Sequence, residues 1–155
     1  MTSRSVLSLI AVVAVGACGG HGGGAVPGTV PPAASASGAV QEFMTGVADS
    51  NIVRIGSAWG TSKGAAAVLG QPQDWQKRVT VMQLWLRGGT YTITGDQSLI
   101  NDRTHRQVTI DLVRGGCTKT IPIMVVKAER GWLVESIDLT AAGNPEKPCA
   151  GNSSN

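Results

Sequence analysis

The sequence predicts an α+β fold, with N-terminal helices packed against a curved antiparallel sheet of about four strands. Three observations carry this. Apolar residues recur with a period near 3.6 as far as Gly88 and with a period of 2 after Gly89. The later segments are joined by Gly115-Gly116 and Arg130-Gly131, turns too short for a crossover, so successive strands must pair antiparallel. The chain of 155 residues, 42% hydrophobic and 15% charged, has the size of one domain.

The first residues read as an address. One cation, Arg4, precedes the apolar run from Val6 to Val15, which is the length of a signal-peptide core and too short to span a bilayer. Val15-Gly16-Ala17-Cys18 follows directly and resembles a bacterial lipobox, in which small residues fit the peptidase and the cysteine thiol takes the diacylglycerol. Residues 1–17 are then a lipoprotein signal peptide and Cys18 the lipidation site; the rival is an ordinary cleaved signal with an incidental cysteine. Residues 18–38 are rich in Gly, Pro and Ala and poor in large apolar side chains, so they are expected to form a flexible tether. About twenty such residues reach roughly 25 Å.

The folded body is expected over 39–140. Val40, Phe43, Met44 and Val47 fall on one helical face, with Ser37 or Gly38 as the cap. A second short helix follows Asn51 and carries Ile52, Ile55 and Trp59 on one side. Gly60, Gly64 and Gly70 make the next segment a loop around at most a short helix. A third helix begins at Pro72, runs along Trp75, Val79, Met82 and Leu86, and ends at Arg87-Gly88; Val79-Thr80-Val81 would also suit a strand. Alternation then marks strands over 90–94, 106–114, 118–128 and 132–139.

From Val40 to Leu139, the order of three helices and four strands resembles the nuclear transport factor 2-like superfamily. The ending Gly131-Trp132-Leu133-Val134-Glu135-Ser136-Ile137-Asp138-Leu139 is similar to the last strand of many of its small bacterial members. The resemblance implies a bent sheet wrapped around the helices as a cone with a pocket at its open end. On that geometry Trp132 and Val134 would face Trp75, Val79 and Met82, and with Trp59 and Tyr91 these are the candidate pocket-lining residues. Core packing is the default for the tryptophans. A cystatin-like sheet with a single helix is the nearest competing fold. The superfamily includes ketosteroid isomerase-like enzymes, polyketide cyclases and dehydratases beside pockets without known chemistry, so the fold alone settles no function.

Tempting motifs fail their context tests. Gly60-Thr61-Ser62-Lys63-Gly64 matches a nucleophile elbow and His21-Gly22-Gly23-Gly24 an oxyanion motif, but neither has the strand, helix and parallel sheet that those motifs need. Asp111 and Asp138, with Tyr91 as partner, are the carboxylates an isomerase would use, yet Asp111 alternates with the apolar face. His105 reads as a solvated loop residue or a general base. No catalytic residue, metal site or cofactor is assigned: the two histidines lie far apart in sequence and no cysteine pair has zinc-finger spacing. In an oxidising compartment Cys117 and Cys149 are expected to pair and staple the tail, residues 141–155, to the sheet; two free thiols are the alternative.

Thirteen basic and ten acidic side chains give a net charge of +3 with no basic run, so no nucleic-acid footprint exists. The expectation is an exported protein of the bacterial cell envelope, anchored by lipid on the periplasmic face or outer membrane. Its non-catalytic domain would bind a small apolar ligand or an envelope protein; a small isomerase, cyclase or dehydratase is the alternative.

Overall fold

The computed structural model describes residues 27–149; the expected signal peptide, Cys18 and the last residues of the tail lie outside the described residues. The order is α1 (Ala36–Ala48), α2 (Ile52–Ala58), β1 (Gly60–Thr61), β2 (Gly64–Ala65), α3 (Ala66–Leu69), α4 (Trp75–Leu86), β3 (Thr90–Leu99), β4 (Asp102–Arg114), β5 (Cys117–Ala128), β6 (Gly131–Ile137) and α5 (Leu139–Ala142). The fold is α+β, as the change of period predicts: helices precede an open four-stranded antiparallel meander in the order β3-β4-β5-β6.

Helix α1 starts before the boundary expected at Ala39 because Ala36 lies one turn ahead of Val40 and extends its buried stripe. Extended Ser35 is the cap, its hydroxyl accepting from the Gly38 amide at 3.0 Å. Part of the expected tether is therefore body. Ala33 exchanges two backbone hydrogen bonds with Trp132 of β6, and Gly28 lies against Val53 of α2.

Asn51 caps α2. Arg54 then clamps α2 to α1, reaching Glu42 at 2.9 Å and Asp49 at 3.2 Å. Between α2 and α4 the expected loop holds a two-residue hairpin and a one-turn helix. Gly60 makes that hairpin possible, since a Cβ there would come 2.2 Å from the Gly64 carbonyl. Helix α4 begins at Trp75 and not at Pro72, which sits after a cis peptide in the preceding turn. Val79-Thr80-Val81 is helical: Trp75, Val79, Gln83 and Leu86 form a buried stripe of helical period.

Strands β3 and β4 extend well past their expected ends. A register shift between Ile93 and Gly95 breaks the alternation that signals a strand, and Asp96-Gln97-Ser98 then continues the ladder with polar residues. Conversely β6 stops at Ile137, because Asp138 turns out of the sheet to cap α5 through the Thr140 and Ala141 amides.

The core lies between the helices and one face of the sheet, where Phe43, Ile55, Val79 and Leu86 meet Ile110, Leu112, Ile121 and Ile123. Buried Arg114 donates to the carbonyls of Trp85 and Ala142, so one guanidinium holds the C-terminal ends of α4 and α5. A second small cluster, Ala65, Val126, Ala128 and Leu133, forms where the β1–β2 hairpin wraps the β6 edge onto the opposite face. At the far end of the meander Cys117 and Cys149 are bonded, as expected.

Candidate functional site

The edge of β6 collects the groups that could act on a ligand. Trp59 leaves α2 and forms a parallel bridge to Val134, and its indole N–H donates to the Glu135 carbonyl at 3.0 Å. This fixes the start of the β1–β2 hairpin against the strand. A cleft of about 490 Å³ opens between that hairpin, the turn before α4 and β6. Trp59, Leu69 and Pro72 supply apolar wall, while Lys63, Arg78 and Glu135 bring charge. That mixture suits a ligand with an apolar body and one or two polar groups.

Glu135 is the cleft-lining member of a chain of polar groups. Alternation along β6 puts Val134 into the core and Leu133 and Glu135 on the opposite face, where His105 of β4 lies across the sheet. The His105 Nε2 is 3.3 Å from Glu135 Oε2, and its Nδ1 is 2.7 Å from Asp102 Oδ2. Asp102 is held in turn: its other oxygen accepts from the Thr104 hydroxyl and amide, both at 2.7 Å, and from the His105 amide at 3.1 Å. Those bonds, the Thr104 hydroxyl foremost, hold the Asp102 carboxyl far below the usual carboxylate range. A neutral imidazole has one N–H and can serve one carboxylate, whereas an imidazolium serves both. The ring thus stands between the anchored carboxylate and the one that lines the cleft.

The seven pocket candidates do not share one cavity. Trp75, Val79 and Val134 are packed in the core, and Trp75 lies so close to α2 that a Cβ on Gly56 would meet its ring at 2.3 Å. Met82, Tyr91 and Trp132 pack against that core from its margin. Tyr91 borders a separate hollow beside Met44 and Leu86, and burial raises its phenol above the ordinary value. Trp132 borders another, below the β3–β4 turn. Trp59 alone of the seven lines the β6-edge cleft, and with only 8% of its surface exposed it serves core and wall together.

The isomerase-type carboxylates are used structurally. Asp111 accepts from the Thr120 hydroxyl at 2.6 Å, and Asp138 caps α5. His105 is a strand residue between two carboxylates, not a solvated loop residue; Asp102 is three residues before it, but Glu135 lies on another strand far along the chain, so no local signal marks the triplet. Ser62 sits in the β1–β2 turn, so its surroundings are not those of a nucleophile elbow. Among the described residues no three His, Cys, Asp or Glu side chains are grouped to hold a metal ion. No family model, no curated protein and no solved structure matches this chain, so the assignment rests on the cleft itself.

Proposed function

We propose that this protein is an envelope lipoprotein, lipidated at Cys18 and exported, whose domain is a nuclear transport factor 2-like module that binds a small, largely apolar ligand. The observation that carries the reading is the cleft at the β6 edge, with Trp59, Leu69 and Pro72 as walls and charged groups at its margin. The ligand enters beside the sheet edge and not through the centre of the cone, whose residues pack on one another. The element order and the helices stacked on one sheet face support the module; the apolar run ending in Val15-Gly16-Ala17-Cys18 supports the anchor.

Binding is tested with a panel of small amphiphiles, reading melting temperature. A ligand at a hundred times its Kd stabilises the fold by about 2.7 kcal/mol. Leu69→Glu, at a position 47% exposed, should keep the fold and abolish the response. No response from any amphiphile in the intact protein would turn the reading toward an envelope protein partner. The anchor is tested by mass spectrometry of the mature N-terminus, where an unacylated start away from Cys18 refutes it.

One observation favours a second reading, an isomerase-type reaction: Glu135 lines the cleft and is backed by His105. Proton transfer at carbon needs a carboxylate set in apolar walls, and Glu135 retains 36% of its side-chain surface, so binding is the better account. Turnover of a ketone that Glu135→Gln abolishes would reverse that order.

A further inference from the structure

Helix α4 is amphipathic in an unusual sense. At 100° per residue, Trp75, Val79, Gln83 and Leu86 cluster on the buried side, and the residues diametrically opposite are Lys77, Val81 and Leu84. Val81 and Leu84 are 46% and 40% exposed at the positions furthest from the core. Six large apolar side chains stand exposed among the described residues, and four of them belong to α3 and α4: Val68, Leu69, Val81 and Leu84. The same region is basic. Lys77 lies in the apolar stripe, Arg78 and Arg87 flank it, and Lys63 stands beyond Leu69 across the cleft. The acids nearby are Asp74, which is paired with Arg78 at 3.0 Å, Glu135, which lines the cleft with Lys63 and Arg78 and lies 3.3 Å from His105, and Glu146, which shares a hollow with Leu84 and Arg87.

We propose that this outer face of α4 docks on the anionic phospholipid surface that carries the anchor. The inference rests on the lipidation of Cys18 proposed above. Basic side chains interleaved with apolar ones on one helix face match a lipid interface, where methyl groups enter the headgroup boundary and cations meet phosphate. The tether supports the geometry. Gly28 lies against Val53 of α2, and α2 is the helix on which α4 packs, through Gly56 against Trp75, with Gln83 donating to Ser50 in the turn before α2 at 3.0 Å. From Cys18 to Pro27 the chain covers nine residues, a contour of about 30 Å at most. An anchor on so short a lead keeps the helical layer near the bilayer, within reach of a helix that is itself about 18 Å long.

The test uses the chain from Cys18 to Asn155, which contains every described residue, with Cys18→Ser so that acylation plays no part. Co-flotation is measured with vesicles of phosphatidylcholine alone and with one-third phosphatidylglycerol. The chain should partition onto the anionic vesicles and not onto the neutral ones. Val81→Glu with Leu84→Glu should lower the partition coefficient at least about tenfold, and Lys77→Gln about fivefold. Val113→Glu, at an exposed apolar position on the outer face of the sheet, should leave it unchanged, and circular dichroism checks that each variant is folded. Equal binding to both vesicle types, or full binding by the Val81/Leu84 double variant, overturns the proposal. So does a chain that ignores lipid but self-associates until Leu84→Glu disperses it, which would assign the face to a second copy. Because Cys18 is absent throughout, a failure here is separate from a failure of the anchor, which the mature N-terminus reports by itself.

Discussion

Removing the Cys117–Cys149 bond by a double substitution to serine perturbs one cross-link and little else. The bridge joins residues 32 apart. In the chain-entropy treatment, opening a loop of that length returns about 3.7 kcal/mol of freedom to the unfolded chain at 25 °C. Part of this is offset, because the native tail also gains freedom: its contacts beyond α5 are few, chiefly Pro148 against Gly115 and the Cys149 sulfur near the Gly115 carbonyl. Helix α5 itself has an independent hold, since Ala142 is fully buried and its carbonyl takes Arg114. A net loss of about 2–3.5 kcal/mol follows, which in a body of this size lowers the melting temperature by roughly 8–14 °C. The assay is urea unfolding followed by tryptophan emission, for the oxidised protein, the reduced protein and the double variant. The reduced protein and the double variant should agree, and both should show a lower midpoint with a steeper dependence on urea, because an open chain exposes more surface. A midpoint unchanged in the variant would refute the reasoning, as would two titratable thiols in the unreduced, unfolded protein.

Two further outcomes follow from local geometry. Gly56→Ala should cost about 1–3 kcal/mol in urea unfolding, because a Cβ would meet Trp75 at 2.3 Å across the α2–α4 contact. Asp96 is desolvated, which would raise its carboxyl, but the Ser37 hydroxyl and the Arg106 guanidinium outweigh this and hold it below its ordinary 3.8. A carboxyl depressed on folding contributes stability above its unfolded value and loses it as pH falls through the folded one. Asp96→Asn should therefore be less stable at neutral pH and lose stability less steeply below about pH 4, as acid titration of circular dichroism would read.

The sequence made the fold legible wherever burial is one-sided. Val108, Ile110 and Leu112 alternate because one sheet face meets the helices, and Phe43 and Val47 recur at helical spacing for the same reason. It failed where polar atoms do the ordering. Asp96-Gln97-Ser98 continues β3 without an apolar alternation, and Ala33 joins the sheet edge through backbone groups that no side chain announces. The site was hidden for a related reason. Trp59 and Glu135 are joined by an indole N–H and a backbone carbonyl, and although Asp102 is local to His105 on β4, Glu135 reaches that histidine only through the pairing of β4, β5 and β6. Seven apolar residues could be named as lining material, but composition cannot tell a packed wall from an open one. That depends on whether neighbouring side chains fill the space, as Trp75 fills the gap left by Gly56.

The docking of Gly28 and Ala33 on the body changes what the anchor proposed at Cys18 would do. If all of 18–38 were free, the contour between lipid and body would approach about 70 Å, and the domain could present any face to the bilayer. With Gly28 on α2 and Ala33 on β6, the lead shortens to the residues before Pro27, and its point of departure is fixed on the helical layer. The β4–β5 turn with its disulfide and the β6-edge cleft are then carried as parts of one body whose attachment is off-centre. A tethered body attached in this way meets the bilayer most often with the faces nearest its lead, and the helical layer is where Val81, Leu84 and Lys77 stand exposed. On the proposed lipidation, the short lead and the apolar, basic face of α4 would act as two parts of one constraint. Lengthening the lead with a Gly/Ser insert before Pro27 should weaken lipid contact by α4 in the acylated protein, by lowering its effective concentration at the surface. The same insert should leave unchanged the partition of the unacylated chain, which has no lead to lengthen.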